Sequence, residues 1–176
     1  GQLGGTCTND GCVPTRVLAH VARLMRDTAQ HESYGLIGPR PELDFGRLIA
    51  GTQEIVYAVH EKKQLHKHLE SSGVTLYQGV GPARFVDPHT IEFGDDGEQL
   101  SGERFIICAG GHARRLSFPG AEHTLTHSDV WTLKELPRRL AIIGAAATGC
   151  QLASVMNTFG SDVTLFDIAP HILPSE

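Results

Sequence analysis

The chain has 176 residues, 40% of them hydrophobic and 20% charged, a balance that fits one large or two small globular domains. Its net charge of -5 with neutral histidines gives no electrostatic pull toward nucleic acid, and no stretch is long and apolar enough to span a membrane. Four cysteines are too few for a disulfide scaffold of this length. No export signal precedes the fold, so the expected location is cytoplasmic. The opening Gly1-Gln2-Leu3-Gly4-Gly5 has no initiator Met, and the expectation is a chain that starts inside a longer protein.

In chain order, Pro14 suits a helix first turn, and Val17, Leu18, Val21, Leu24 and Met25 recur at helical spacing, which predicts a helix over 14–29. Residues 31–51 carry glycines and prolines with little periodicity and read as mostly loop. A second helix is expected over 54–72, closed by Gly73. The period then changes toward two, and 74–77, 83–86 and 90–93 read as short strands with a turn at 94–97. Residues 104–109 form an apolar strand ending on Gly110-Gly111. A buried strand at 140–143, a helix to about Phe159 and a strand at 163–166 ending on Asp167 make one complete βαβ unit. The fold class is α/β.

The segment Thr6-Cys7-Thr8-Asn9-Asp10-Gly11-Cys12 puts two cysteines across a turn that runs into a helix. A thiol at a helix N-terminus feels the positive end of the helix dipole, which favours the thiolate that disulfide exchange requires. Spacing alone leaves three readings open: a redox pair, two buried free thiols, or metal ligands. A lone pair is a poor zinc site, which needs four ligands.

The βαβ unit carries Gly144-Ala145-Ala146-Ala147-Thr148-Gly149 between strand and helix. Dinucleotide sites use Gly-x-Gly-x-x-Gly there, because the backbone must turn tightly and approach a pyrophosphate. Gly144 and Gly149 stand in place, while Ala146 replaces the second glycine and its methyl pushes or tilts a bound pyrophosphate. The alternative is a helix packed on a sheet with no ligand. Asp167, 23 positions after Gly144, sits where an acidic residue would hold a ribose 2′-OH, and no arginine follows to take a 2′-phosphate. That favours NADH over NADPH. The histidines at 60, 66 and 68 read as a solvated helix face and not a metal site. His112 reads as a loop residue, Cys108 and Cys150 as buried thiols, and Trp131 as a packing residue.

Gly4-Gly5-Thr6-Cys7, four residues, then Cys12-Val13-Pro14 resembles the redox-active disulfide motif of the pyridine nucleotide–disulfide oxidoreductases, a family that includes glutathione reductase, dihydrolipoamide dehydrogenase and mercuric reductase. The resemblance implies that Cys7 exchanges with substrate, that Cys12 lies against a flavin as the charge-transfer thiolate, and that Gly5 and Thr6 sit near FAD. Phe105 to Gly111 followed by Phe118-Pro119-Gly120 resembles the family's second FAD motif, with Ala109-Gly110-Gly111 for the usual Ala-Thr-Gly. Leu136-Pro137, Phe159-Gly160 and Ile172-Leu173-Pro174 resemble the flanks of its NAD motif, and mercuric reductases often carry a small non-glycine residue at the position of Ala146.

The family's lysine near the flavin and its glutamate partner become Arg16 and Gln151, which keeps a positive charge and drops a negative one. The implied fold is part of an FAD-binding Rossmann-like domain with a small antiparallel insert over 1–124, then the start of a Rossmann-like NAD(P)-binding domain over 125–176. The implied activity passes electrons from NAD(P)H through FAD to the Cys7–Cys12 disulfide and on to a small-molecule disulfide or metal-ion substrate, in a homodimeric parent. The family's opening ADP-binding unit and closing interface domain have no counterpart here, so the expectation is an internal piece that does not turn over alone. The competing readings are a non-catalytic nucleotide-binding module with structural cysteines and an inactive fragment.

Overall fold

The computed structural model describes residues 3–173. In chain order the elements are α1 (Gly5–Asn9), α2 (Cys12–Thr28), α3 (Phe45–Lys63), α4 (Leu65–Ser71), β1 (Arg84–Asp87), β2 (Thr90–Phe93), β3 (Glu98–Ser101), β4 (Arg139–Ile143), α5 (Ala147–Phe159) and β5 (Asp162–Phe166). Short 3-10 turns lie at His31–Tyr34, Ala121–His123 and His127–Thr132. The chain divides into two compact units, one of residues 1–63 with 112–176, the other of residues 64–111.

In the first unit, Pro14, Leu18 and Ala22 recur every fourth residue on α2, and all three are buried. They face a core completed by Phe45 and Ile49 of α3, Val130, and Val155, Met156 and Phe159 of α5. Phe45 and Phe159 meet edge to face, with ring centroids 6.4 Å apart. The helix expected to begin at residue 54 begins at Phe45. Asp44 caps it, its side chain accepting from the Arg47 N–H at 2.9 Å, and that local bond overrides the weak propensities of Gly46 and Gly51. The same helix does not run on to residue 72: Gln64 takes a left-handed φ of 42° and α4 follows as a separate short helix.

β4 and β5 pair in parallel, with Arg139 opposite Asp162 and Ile143 opposite Phe166, and α5 connects them. Gly160, at φ 114°, ends α5 in a Schellman arrangement, its own N–H on Asn157 O and the Ser161 N–H on Met156 O. Ser161 Oγ then donates to Pro137 O at 2.7 Å and ties the start of β5 to the segment that enters β4.

The second unit is built on an antiparallel meander, β1–β2–β3, with Thr90 opposite Ser101 and a register irregularity in β1 between Phe85 and Asp87. β3 was not among the expected strands. Tyr77 packs on Phe93 and Phe85 on Phe105, with centroids 5.1 and 5.0 Å apart. The strands expected over 74–77 and 104–109 join no ladder among the described residues. Ile106 and Ile107 are 90% and 74% exposed, so their apolar character does not translate into burial.

Candidate redox and nucleotide site

The cysteine pair is built by two helix ends. Cys7 sits in α1, which starts through Gly4 and Gly5 at positive φ (97° and 60°). The Asp10 and Gly11 N–H groups both donate to Thr6 O, at 3.1 and 2.7 Å, and this tight turn returns the chain to open α2 at Cys12. A Cβ on Gly11 would lie 2.8 Å from Thr6 O, so only glycine fits. Both thiols are free and exposed, on either side of this turn. The expected thiol at a helix N-terminus is Cys12, the first residue of α2. The Cys7 thiol is pushed up, first by its hydrogen bond to Cys12, then by desolvation and the Cys12 charge; Lys63 and Arg16 pull it back down.

Every residue between the cysteines except Gly11 is held by a side chain from elsewhere in this unit. Thr8 is buried, and Lys63 Nζ donates to its Oγ1 at 3.2 Å. His60 Nε2 pairs with Asn9 Oδ1 at 2.6 Å. Trp131 Nε1–H donates to Asp10 O at 3.1 Å, and Ser128 Oγ–H donates to the Asp10 carboxylate. Lys63 and Ser128 were not singled out from the sequence, while His60 was read as part of a solvated helix face and Trp131 as a packing residue. The available signal was the indole N–H, a donor that needs a partner when half-buried.

Beside the pair lies a cleft of about 320 Å³ lined by Thr6, Cys12, Arg16, Trp131, Thr148 and Gln151 among others. Three positions expected at the flavin, Cys12, Arg16 and Gln151, and Thr6, expected near the FAD pyrophosphate, thus line one space, and Gly5 opens the helix that carries Thr6. Ala109, Gly110 and Gly111 are exposed and belong to the second unit.

The nucleotide turn has the shape its glycines require. Gly144 adopts φ 109°, and a Cβ on Gly149 would come 1.8 Å from Gly144 O, so α5 can approach β4 only with glycine there. Ala146 is the extended N-cap of α5, and the first N–H groups of that helix lack intrahelical partners, which is the arrangement that receives a phosphate. Gly144, Ala146 and Gly149 line a larger, mostly apolar cleft of about 570 Å³. The exposed Asp167 carboxylate accepts from the Ala169 N–H at 2.7 Å and from the Ala145 N–H, so it braces the turn from the end of β5. Those backbone donors, Ala169 first and Ala145 second, hold its pKa below the usual carboxylate range.

Ile172 and Leu173 lie among the described residues, and the Leu173 N–H donates to Ala145 O at 2.8 Å; Pro174 lies outside them. Neither remaining cysteine is fully buried as expected. Cys108 is exposed because its segment joins no ladder, and Cys150 is half-buried, its Sγ–H donating to Ala145 O at 3.1 Å. Among the described residues no three His, Cys, Asp or Glu side chains converge as a metal group.

Comparison with known proteins places the chain in a family. The family model described as pyridine nucleotide-disulphide oxidoreductase matches residues 1–176. The dihydrolipoyl dehydrogenase of Thermus scotoductus is 34% identical over 176 residues, covering 99% of this chain and 37% of that protein. The mercuric reductase of Bacillus cereus is 28% identical, over 98% of this chain and 27% of that protein. Among solved structures, the HOCl-induced flavoprotein disulfide reductase RclA of Escherichia coli superimposes with a TM-score of 0.77 at 29% identity, over 98% of this chain and 36% of that one. This chain therefore spans between a quarter and two fifths of these relatives. The chain belongs to the pyridine nucleotide-disulphide oxidoreductase family.

Proposed function

We propose that the protein carrying this chain is an FAD-dependent oxidoreductase that moves electrons from NADH to a small-molecule disulfide or a thiophilic metal ion through Cys7 and Cys12. The observation that supports it most is the pair of free thiols across one tight turn, Cys7 in α1 and Cys12 at the N-terminus of α2, with Cys12 on the same cleft as Arg16 and Gln151. Cys12, Arg16 and Gln151 would lie at the flavin and Thr6 near the FAD pyrophosphate; Gly5, Ala109, Gly110 and Gly111 are the further residues proposed to bind FAD. Gly144, Ala146, Gly149 and Asp167 would hold the nicotinamide nucleotide.

A bound flavin supplies the electron pair that opens the Cys7–Cys12 disulfide. The Cys7 thiolate then attacks one sulfur of the substrate disulfide, displacing the other as a thiolate that takes up a proton and leaving a mixed disulfide. Cys12 attacks the Cys7 sulfur, releases the second thiol and closes the Cys7–Cys12 disulfide. Arg16 and Lys63 favour the Cys7 thiolate through their charge. A metal ion as substrate would instead be taken between the two thiolates.

The same reading assigns residues 1–124 to an FAD-binding domain and 125–176 to a Rossmann-like NAD-binding domain, in a cytoplasmic homodimer. The test is Cys7→Ser in the full-length protein. Disulfide reduction with NADH should fall at least a thousandfold while bound flavin is retained; full activity in the variant would sink the assignment.

A further inference from the structure

We propose that Trp131, backed by Ser128, is a positioning residue that holds the Cys7–Cys12 turn in the geometry from which the disulfide closes. The inference rests on the redox reading above. Trp131 packs beside the core, and a packing role alone would ask nothing of its indole nitrogen. That nitrogen donates to Asp10 O, two residues before Cys12, across 121 positions of sequence. The Trp131 backbone is itself fixed, because Gln53 Nε2 of α3 donates to its carbonyl at 3.0 Å. Ser128, one turn earlier in the same 3-10 segment, donates to the Asp10 side chain. The segment is stiffened by a capping box, Thr126 and Asp129 bonding each other reciprocally. Asp10 is thus gripped at its carbonyl and at its carboxylate by one rigid turn.

The physical consequence is preorganisation. Closing a disulfide requires the two sulfurs to meet, and a turn already ordered in the dithiol loses less freedom on closure than a loose one. The clamp should therefore favour the disulfide over the dithiol. Trp131→Phe keeps an aromatic ring, though a smaller one, and removes the N–H; Ser128→Ala removes one hydroxyl and disturbs packing least.

The experiment equilibrates the full-length protein and both variants in glutathione buffers of stepped reduced-to-oxidised ratio. The Cys7–Cys12 disulfide fraction is then read by alkylation and mass spectrometry, with a thermal melt of each protein alongside. We expect Trp131→Phe to shift the equilibrium toward the dithiol by about threefold to tenfold, the range of one lost hydrogen bond, and Ser128→Ala to shift it the same way. An unchanged equilibrium in both variants, with only a lower melting temperature, would show a structural packing role and overturn the inference while leaving the redox reading intact. A shift toward the disulfide would overturn it as well. A wild-type protein that forms no Cys7–Cys12 disulfide in any buffer would overturn both.

Discussion

Cys7 carries two opposed influences that substitutions can separate. Its hydrogen bond to Cys12 and the Cys12 charge raise it, while Lys63 and Arg16 lower it. Cys12→Ala should move the pH of half-maximal Cys7 alkylation downward, and Lys63→Met should move it upward. Iodoacetamide rates against pH on the reduced protein, resolved by peptide mass spectrometry, would show this; shifts of the same sign would refute the account of the pair. The two cysteines themselves were legible, because their spacing and flanking glycines lie in one short stretch. The residues that grip the turn were not. His60 lies 51 positions from Asn9, Lys63 55 from Thr8 and Trp131 121 from Asp10, and pattern reading does not reach side-chain contacts at such separation. His60 was weighed only as a metal ligand and read as part of a solvated face; its partner is an asparagine in the turn between Cys7 and Cys12.

At the scale of elements, the βαβ unit is where local signals and fold agree. Leu140 to Ile143, the Gly144–Gly149 turn, Gly160 after α5 and Asp167 after β5 each carry their own chemistry, and the helix and strands fall within a residue or two of expectation. Asp167 fastens β5 to the turn, and its lowered pKa gives this a pH signature. A carboxylate more acidic in the folded state stabilises the fold above its unfolded pKa of about 3.9 and loses that contribution as pH falls through the lower folded value. The melting-temperature gap between wild type and Asp167→Asn should therefore be widest at pH 5 to 6 and close toward pH 2. A gap independent of pH would show that the charge is not what braces the turn. Elements whose pairing is non-local were the ones misread. Residues 74–77 and 104–109 have strand-like composition, but a ladder needs a neighbour, and composition does not report one. α3 was cut short at its start because Gly46 and Gly51 made that stretch read as loop, while the cap that starts the helix is the single side chain of Asp44.

At the scale of the whole molecule, the chain has a helical core around Leu18, Ile49, Met156 and Phe159, a parallel strand pair, and a separate meander unit. No helix among the described residues is long and apolar enough to cross a membrane. The fold class was legible because the βαβ unit and the amphipathic α2 are encoded locally. Substrate identity was not, since nothing in the cysteine turn or the nucleotide turn distinguishes a disulfide from a metal ion. The central claim is that Cys12 works against a flavin in the cleft it shares with Arg16 and Gln151. The most direct test is the visible spectrum of the full-length protein with FAD, recorded before and after anaerobic addition of NADH and repeated with Cys12→Ser. The account predicts a long-wavelength charge-transfer band on reduction of the wild type and its loss in the variant; a flavin that bleaches in both with no such band would contradict it.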